Sequence, residues 1–318
     1  MKRLIISLLL LSNVVFAQEV YLDILWTKNF QAGWNWVNAV QQTTDGGYVI
    51  AGVTEVDMNI DDMGYYLIKT DSVGDTLWTK TYGGSGWDEA RAIQQTSDGG
   101  FIITGIKDMM SNSKVYLIKT DADGDTLWTK TFSGSYVRSV QQTTDGGYII
   151  VGTSLIKTDS EGNEQWINAN INGNSVQQTT DGGYIIVGTS LIKTDADGDT
   201  LWTKTFNGNS VQQTTDGGYI ITGAYDGDVG LIKTDSDGNE QWNQTFGGGW
   251  GNNVQQTTDG GYVIGASTGW DETDDVWLIK TDSNGTEEWN QTFNGQFWVG
   301  ECVQQTADGG YIVTGNDW

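Results

Sequence analysis

Two stretches of this chain set carboxylates at alternate positions, Asp121-Ala122-Asp123-Gly124-Asp125 and Asp195-Ala196-Asp197-Gly198-Asp199. Oxygen ligands in that pattern are what a calcium loop offers. An EF-hand also needs its glycine at the sixth place and a distal glutamate, and both are missing here. A hairpin turn with solvated aspartates accounts for the same residues, so no cofactor is expected and calcium stands as the alternative. Two further acidic groups are candidate cation ligands on expected loops: Asp57, Asp61 and Asp62, and Asp271, Asp274 and Asp275.

A second chemistry is recognition. Trp34, Trp36, Trp87, Trp250, Trp270 and Trp298 fall in stretches of irregular length beside acidic and amide residues. An indole offers a flat apolar face and an N–H donor, which suits a glycan or a peptide. The competing reading is that these rings pack loops onto the body of the protein.

Catalysis finds little support. The chain has no histidine, which removes the commonest general base and metal ligand. No nucleophile elbow, P-loop, dinucleotide fingerprint or zinc spacing is present. Lys69, Lys119, Lys157, Lys193, Lys233 and Lys280 recur in equivalent places. An active site needs one such amine, so a repeated lysine points to a structural task, on a strand surface or pairing a turn. No catalytic residue and no enzyme activity are expected.

The charge balance narrows the partners. The chain carries 41 acidic and 16 basic residues, a formal charge of −25. Such a surface repels phosphate backbones and anionic headgroups, so nucleic acid and acidic membranes are excluded, and an unidentified glycan or protein is expected. Residues 1–17 read as a secretory signal: Lys2 and Arg3, the apolar Leu4 to Leu11, then Val15-Phe16-Ala17 before a cut at Gln18. The apolar run is shorter than the ~20 residues a membrane span needs. The expected product is a single domain over 18–318, secreted or at the cell surface (or periplasmic), without a transmembrane segment and monomeric. Cys302 is the only cysteine, which rules out an internal disulfide, and is read as a small core residue.

Seven Gln-Gln-Thr motifs begin at Gln41, Gln94, Gln141, Gln177, Gln212, Gln255 and Gln304, each followed by Asp-Gly-Gly and an aromatic residue. Six Leu-Ile-Lys-Thr-Asp motifs follow, each leading to a glycine and, four residues later, a tryptophan. A recurring unit of this size requires a repeat architecture. The shortest unit, Gln177 to Phe206, reads as four strands, A to D. The A–B turn holds Asp-Gly-Gly, and the C–D turn closes on a left-handed glycine. Strand B, such as Tyr184-Ile185-Ile186-Val187, is continuously apolar, as in a sheet buried on both faces.

Four antiparallel strands per unit fit the blade of a β-propeller. The expected fold is all-β, with seven four-stranded blades. Ile24 to Phe30 would supply the outer strand of a last blade that has no Leu-Ile-Lys-Thr segment and is expected to hold three strands, the alternative being that the chain is a truncated piece of a longer array. The A–B and C–D turns then project from one face. The B–C connections (Thr54 to Gly64, Ile106 to Lys114, Ala224 to Gly230, Ser267 to Asp275) and the D–A connections project from the other. All the length variation, and with it the candidate tryptophans, lies on that second face.

The unit resembles the repeats of quinoprotein (pyrroloquinoline-quinone dehydrogenase-like) β-propellers, where each blade ends in Gly-x-x-x-Trp, here Gly74 to Trp78 and its counterparts. It is more similar still to the DGGYI/KTD-x-x-G-x-x-x-W repeats of secreted bacterial proteins, many of which carry a C-terminal sorting domain that is not read here. The resemblance implies docking tryptophans between blades at Trp26, Trp78, Trp128, Trp166, Trp202, Trp242 and Trp289. The motif departs from the dehydrogenase pattern at Ile68, Val73-Gly74 and Asp71. The vicinal cysteine pair and calcium-ligand set that hold the quinone have no counterpart. The implied role is an exported binding or adhesion module, with a quinone-dependent oxidoreductase or a purely structural surface repeat as alternatives.

Overall fold

A computed structural model describes residues 4–10, 23–30, 35–56, 59–84, 86–269, 275–293 and 297–317. The described residues form four-stranded antiparallel sheets arranged as a β-propeller. Six blades are each built from four consecutive strands. The first runs Asn35–Gln42, Tyr48–Val56, Asn59–Thr70 and Thr76–Tyr82. The fourth is the most compact, with Ser175–Gln178, Tyr184–Val187, Leu191–Thr194 and Thr200–Lys204.

The expectation of seven like blades is corrected to six, because the remaining strands come from both ends of the chain. Phe297–Gln305 and Tyr311–Asp317 pair in sequence, then Leu4–Leu10 lies between Tyr311–Asp317 and Asp23–Phe30. This composite sheet has four strands and not the expected three. The third place is taken by the apolar run read as the core of a leader, with Leu4 opposite Asn316 and Leu8 opposite Ile312. An apolar segment read as a leader can fill this place because a strand needs only backbone pairing and extended geometry.

The core lies between blades. One cluster joins Ile149, Val151 and Leu155 of the third blade to Val176, Tyr184 and Ile186 of the fourth. Strand B is buried along its length, as in Tyr184–Val187, while the outer strand Thr200–Lys204 alternates between exposed and half-buried. The continuous apolar run in the middle and the polar alternation outside follow from that placement.

The repeated motifs hold neighbouring blades together. Gln177 Oε1 accepts from the backbone N–H of Gln213 in the next blade at 2.5 Å. Gln178 Oε1 accepts from Thr144 in the preceding blade at 2.8 Å. The first glutamine of each pair therefore reaches forward and the second reaches back. The outer strands do the same with aromatic rings: Trp166 meets Tyr184 of the next blade edge-on at 6.0 Å, and Trp26, Trp78, Trp128, Trp202, Trp242 and Trp289 make the corresponding contacts. Gly198 adopts φ +81°, and a Cβ there would stand 2.6 Å from the Trp166 ring. Glycine is required twice over, for the left-handed turn and for the space.

The connections on the variable face are shorter than expected. Strand pairing continues to Val56 and resumes at Asn59 in the first blade, and in the fifth it runs from Tyr225 directly opposite Asp228. Extended hairpins take up residues expected as loop. Trp36, Trp250 and Trp298 likewise lie on inner strands and not in connections.

Candidate functional site

The repeated lysines and aspartates are accounted for by the fold. Lys157 is 3% exposed and donates to both carboxylate oxygens of Asp145, in the Asp-Gly-Gly turn of its own blade, and to the Thr158 carbonyl. The same arrangement joins Lys69 to Asp45, Lys119 to Asp98, Lys193 to Asp181, Lys233 to Asp216 and Lys280 to Asp259. The second glycine of the turn leaves room for the ammonium, since a Cβ at Gly147 would lie 2.6 Å from Lys157 Nζ. Partial burial alone would raise the Asp145 pKa. Bonds from Lys157, Thr143 and the Gly147 N–H outweigh it and bring the value down to about 2.

The candidate calcium loops are turns in which the first aspartate caps the backbone. Asp121 Oδ1 accepts from the N–H groups of Asp123 and Asp125, and the Asp125 carboxylate pairs with Lys80 of the preceding blade at 2.7 Å. Asp195 caps Asp197 and Asp199 in the same way. Among the described residues no group of three or more His, Cys, Asp or Glu is placed to hold a metal ion. Asp57, Asp271 and Asp274 lie outside the described residues, as do Trp34 and Trp270. Asp61 and Asp62 fall on the strand Asn59–Thr70, a correction to their expected loop position. Asp275 lies just before the strand Val276–Thr281, and its N–H donates to Thr268 Oγ1.

The candidate tryptophans separate into two groups. Trp36 and Trp87 stack on each other, with ring centroids 5.7 Å apart and planes 22° from parallel. The Trp87 connection is fixed by the fully buried Asp88, which accepts from Gly84 and Asp108 N–H groups. These two rings pack a connection onto the first and second blades. Trp250 lies elsewhere, at the start of an inner strand and on the wall of a cavity.

That cavity, about 470 Å³, occupies the propeller axis at the N-terminal ends of the inner strands, on the variable face. Six of its lining residues share one position of the repeat, three residues before the first glutamine: Asn38, Arg91, Arg138, Asn174, Asn209 and Asn252. Local backbone geometry redirects four of these side chains. The strand register skips between Val37 and Ala39, Ala90 and Ala92, Val137 and Ser139, and Gly251 and Asn253, so Asn38, Arg91, Arg138 and Asn252 each sit in a β-bulge. A bulge leaves its extra residue unpaired and redirects its side chain.

The cavity has two chemically different sides. Asn174 Nδ2 donates to the Gly208 carbonyl and Asn209 Nδ2 to the Gly251 carbonyl, each at 3.0 Å, which engages the amide nitrogens with the next blade. On the two preceding blades, Arg91 pairs through Nη2 with Glu89 at 2.9 Å, while its Nε is enclosed with no hydrogen-bond partner. The exposed Arg138 lays its guanidinium over the Tyr136 ring at 4.8 Å. Cys302, expected in the core, lines this cavity half-buried, with Sγ 3.5 Å from the Val40 carbonyl. The inner ring escapes sequence reading because its residues lie outside the near-invariant motif. One signal could have found it: apart from Arg3, the arginines of the chain are Arg91 and Arg138, in equivalent places of adjacent units.

No family model matches the chain, and no curated protein matches it. Among described residues, no helix is long and apolar enough to cross a membrane. Solved structures do show likeness. BamB from Moraxella catarrhalis is 14% identical, with a TM-score of 0.51, covering 92% of this chain and 88% of that one. Sqt1 from Chaetomium thermophilum is 11% identical with a TM-score of 0.54, covering 88% of this chain and 94% of that one. Sqt1 bound to the N-terminus of the ribosomal protein L10 is similar at 12% identity and a TM-score of 0.55, with the same coverage. At these identities the likeness establishes the fold, an all-β propeller of four-stranded blades.

Proposed function

We propose that this chain is an exported, non-catalytic propeller that acts as a binding or adhesion module, taking a glycan or a protein segment at the axial cavity on its variable face. In this reading the strands Phe297–Gln305 and Tyr311–Asp317 take a seventh place in the ring, closed onto the first blade by the paired bonds of Gln42 and Gln304. The observation that carries the proposal is the contrast between the two sets of polar residues. The glutamines, the Leu-Ile-Lys-Thr lysines, the Asp-Gly-Gly aspartates and the outer tryptophans hold blades together, whereas the Asn and Arg positions of the inner ring converge on one open cavity with Trp250 at its edge.

Sqt1, similar in fold, has been solved with a protein N-terminus bound, which supports a protein-binding use of such a scaffold. The repeat likeness to secreted bacterial proteins and the leader-like first 17 residues support export. The quinone-dependent alternative lacks support, as neither a cysteine pair nor a histidine is available to it.

The test is a glycan and protein-segment array probed with the wild-type chain and with Trp250→Ala and Trp87→Ala. Trp250→Ala is expected to lose the bound species at unchanged melting temperature. Trp87→Ala is expected to lower the melting temperature and keep binding. Binding that survives Trp250→Ala and any replacement of the inner ring would place the site elsewhere.

A further inference from the structure

In six blades the third strand carries Leu-Ile-Lys-Thr in one register. In the fourth blade Lys193 lies between Ile185 and Trp202, and Thr194 lies opposite Tyr184. The Lys193 ammonium donates to Asp181 of the Asp-Gly-Gly turn at 3.0 Å and to the Thr194 carbonyl at 2.8 Å. The composite sheet keeps this register with a different sequence. Leu8 lies between Ile312 and Trp26, Leu9 opposite Tyr311 and Ser7 opposite Val313. A leucine thus stands at the lysine place, and a serine stands where Ile68, Ile118 and Ile156 are buried in other blades.

Two groups of this sheet lack the partner that their counterparts have. Asp308, in the seventh Asp-Gly-Gly turn, accepts from Thr306 Oγ1 and the Gly310 N–H, as Asp181 does from Thr179 and Gly183. Unlike Asp181, it meets no lysine among the described residues. Thr314 is 1% exposed, and its Oγ1 is enclosed without a hydrogen-bond partner. At the same place in other blades, Thr104 Oγ1 donates to the Tyr116 carbonyl at 3.3 Å and Thr222 Oγ1 to the Gly230 carbonyl at 2.7 Å. Each acceptor is the residue before the leucine of the third strand. A buried hydroxyl without an acceptor is costly, so both groups call for a third strand other than Leu4–Leu10.

The flanking strands are held independently of that segment. Lys28 pairs with Asp75 and Trp26 meets Tyr48, both in the first blade, while Tyr311–Asp317 is held by its pairing with Phe297–Gln305. Removal of residues 1–17 therefore opens a slot one strand wide, with its two edges about 9.5 Å apart. Both edges then present backbone groups that an extended segment can pair with by strand addition. A second copy of the chain has no such strand to give, because each of its Leu-Ile-Lys-Thr strands is paired on both sides within its own blade.

We propose that the mature propeller takes up, between Tyr311–Asp317 and Asp23–Phe30, an extended segment of a partner polypeptide with the pattern apolar-apolar-Lys-Thr. Its lysine pairs with Asp308, and a carbonyl just before the pattern accepts from Thr314. A chain of formal charge −25 favours a lysine-bearing segment at long range as well. The inference rests on the cleavage proposed above and is independent of the axial cavity.

The experiment uses the protein recovered after export, its N-terminus sequenced first. It is titrated calorimetrically with a synthetic peptide of residues 189–195, Thr-Ser-Leu-Ile-Lys-Thr-Asp, and with the Lys193→Gln form of that peptide. The lysine peptide is expected to bind at least about tenfold more tightly than the glutamine form, and to slow hydrogen exchange across 311–315. Asp308→Asn is expected to lose about tenfold for the lysine peptide and nothing for the glutamine form. Its melting temperature without peptide should match wild type, because asparagine keeps an acceptor for Thr306 and Gly310. Equal binding of the two peptides, or lysine-peptide binding unchanged in Asp308→Asn, overturns the proposal. Silence toward both peptides in a protein that begins at Gln18 overturns it too, as does a cleaved chain without a cooperative melt in the presence of peptide. A protein that retains Leu4 removes this inference together with the cleavage, and leaves the axial cavity to the array.

Discussion

The backbone N–H of Gln42 donates to Gln304 Oε1 at 2.7 Å, across 262 positions of sequence. The same bond recurs from each first glutamine to the next inner strand, through Gln41, Gln94, Gln141, Gln177, Gln212 and Gln255. The Gln304 bond therefore joins the end of the chain to its beginning, and Gln42 Oε1 reciprocates by accepting from the Ala307 N–H at 2.8 Å. A reciprocal pair of amides fixes one inner strand against the next without a disulfide.

If the inner ring is closed, Gln304→Ala and Gln177→Ala should cost the same, about 1 kcal/mol each, because each strands one backbone donor. Chemical denaturation of the two variants measures this. A full effect for Gln177→Ala with none for Gln304→Ala would show an open ring.

The proposed export with cleavage has a structural consequence. Removal of residues 1–17 takes Leu4–Leu10 out from between Tyr311–Asp317 and Asp23–Phe30. The glutamine bonds lie on the inner strands and do not involve that segment, so the ring should stay closed. N-terminal sequencing of the exported protein is expected to begin at Gln18. Hydrogen exchange across 311–317 should then be faster than across the buried Tyr184–Val187. A mature protein retaining Leu4 would contradict export with cleavage.

At Gly198 the account is steric as well as conformational. Gly198→Ala should destabilise by about 1–3 kcal/mol, since it meets a positive φ and the Trp166 ring together. Combining it with Trp166→Leu should recover part of that loss, whereas strict additivity in a double-mutant cycle would remove the steric argument.

Acid should weaken the propeller through its turns. Asp45, Asp98, Asp145, Asp181 and Asp216 are partly buried, which raises their pKa, yet hydrogen bonds from lysine, threonine and glycine bring each to about 2. An unfolded aspartate titrates near ~3.9. The folded values lie lower, so the contribution is fully present above about pH 4 and fades as the pH falls toward 2. Melting temperature should drop across that window, and by less in an Asp145→Asn, Asp181→Asn double variant measured against its own value at pH 6. A flat profile from pH 6 to 2 would contradict the assignment.

Much of the fold was legible because its signals are local and repeated. Gly46 and Gly74 mark turns by their positive φ of 83° and 80°, and the run Tyr184–Val187 reveals a buried strand by its unbroken apolarity. What repetition shows is scaffold. The strand at Leu4–Leu10 could not be read, since an apolar run carries no sign of whether it is a leader or a partner for Tyr311–Asp317. The cavity was hidden for a related reason. Whether Arg91 and Arg138 point inward depends on bulges in strand pairing, which a single sequence does not display. Trp36 and Trp87 looked alike to Trp250 in sequence, and only their mutual stacking separates a structural pair from a ring on the cavity wall.

The most direct measurement of the central claim is hydrogen exchange of the chain with and without the species selected on the array. The account predicts protection confined to the starts of the inner strands, around Asn38, Arg91, Arg138, Asn174, Asn209 and Trp250. Protection confined to the outer strands, such as Thr200–Lys204, or to the Asp-Gly-Gly turns would contradict it.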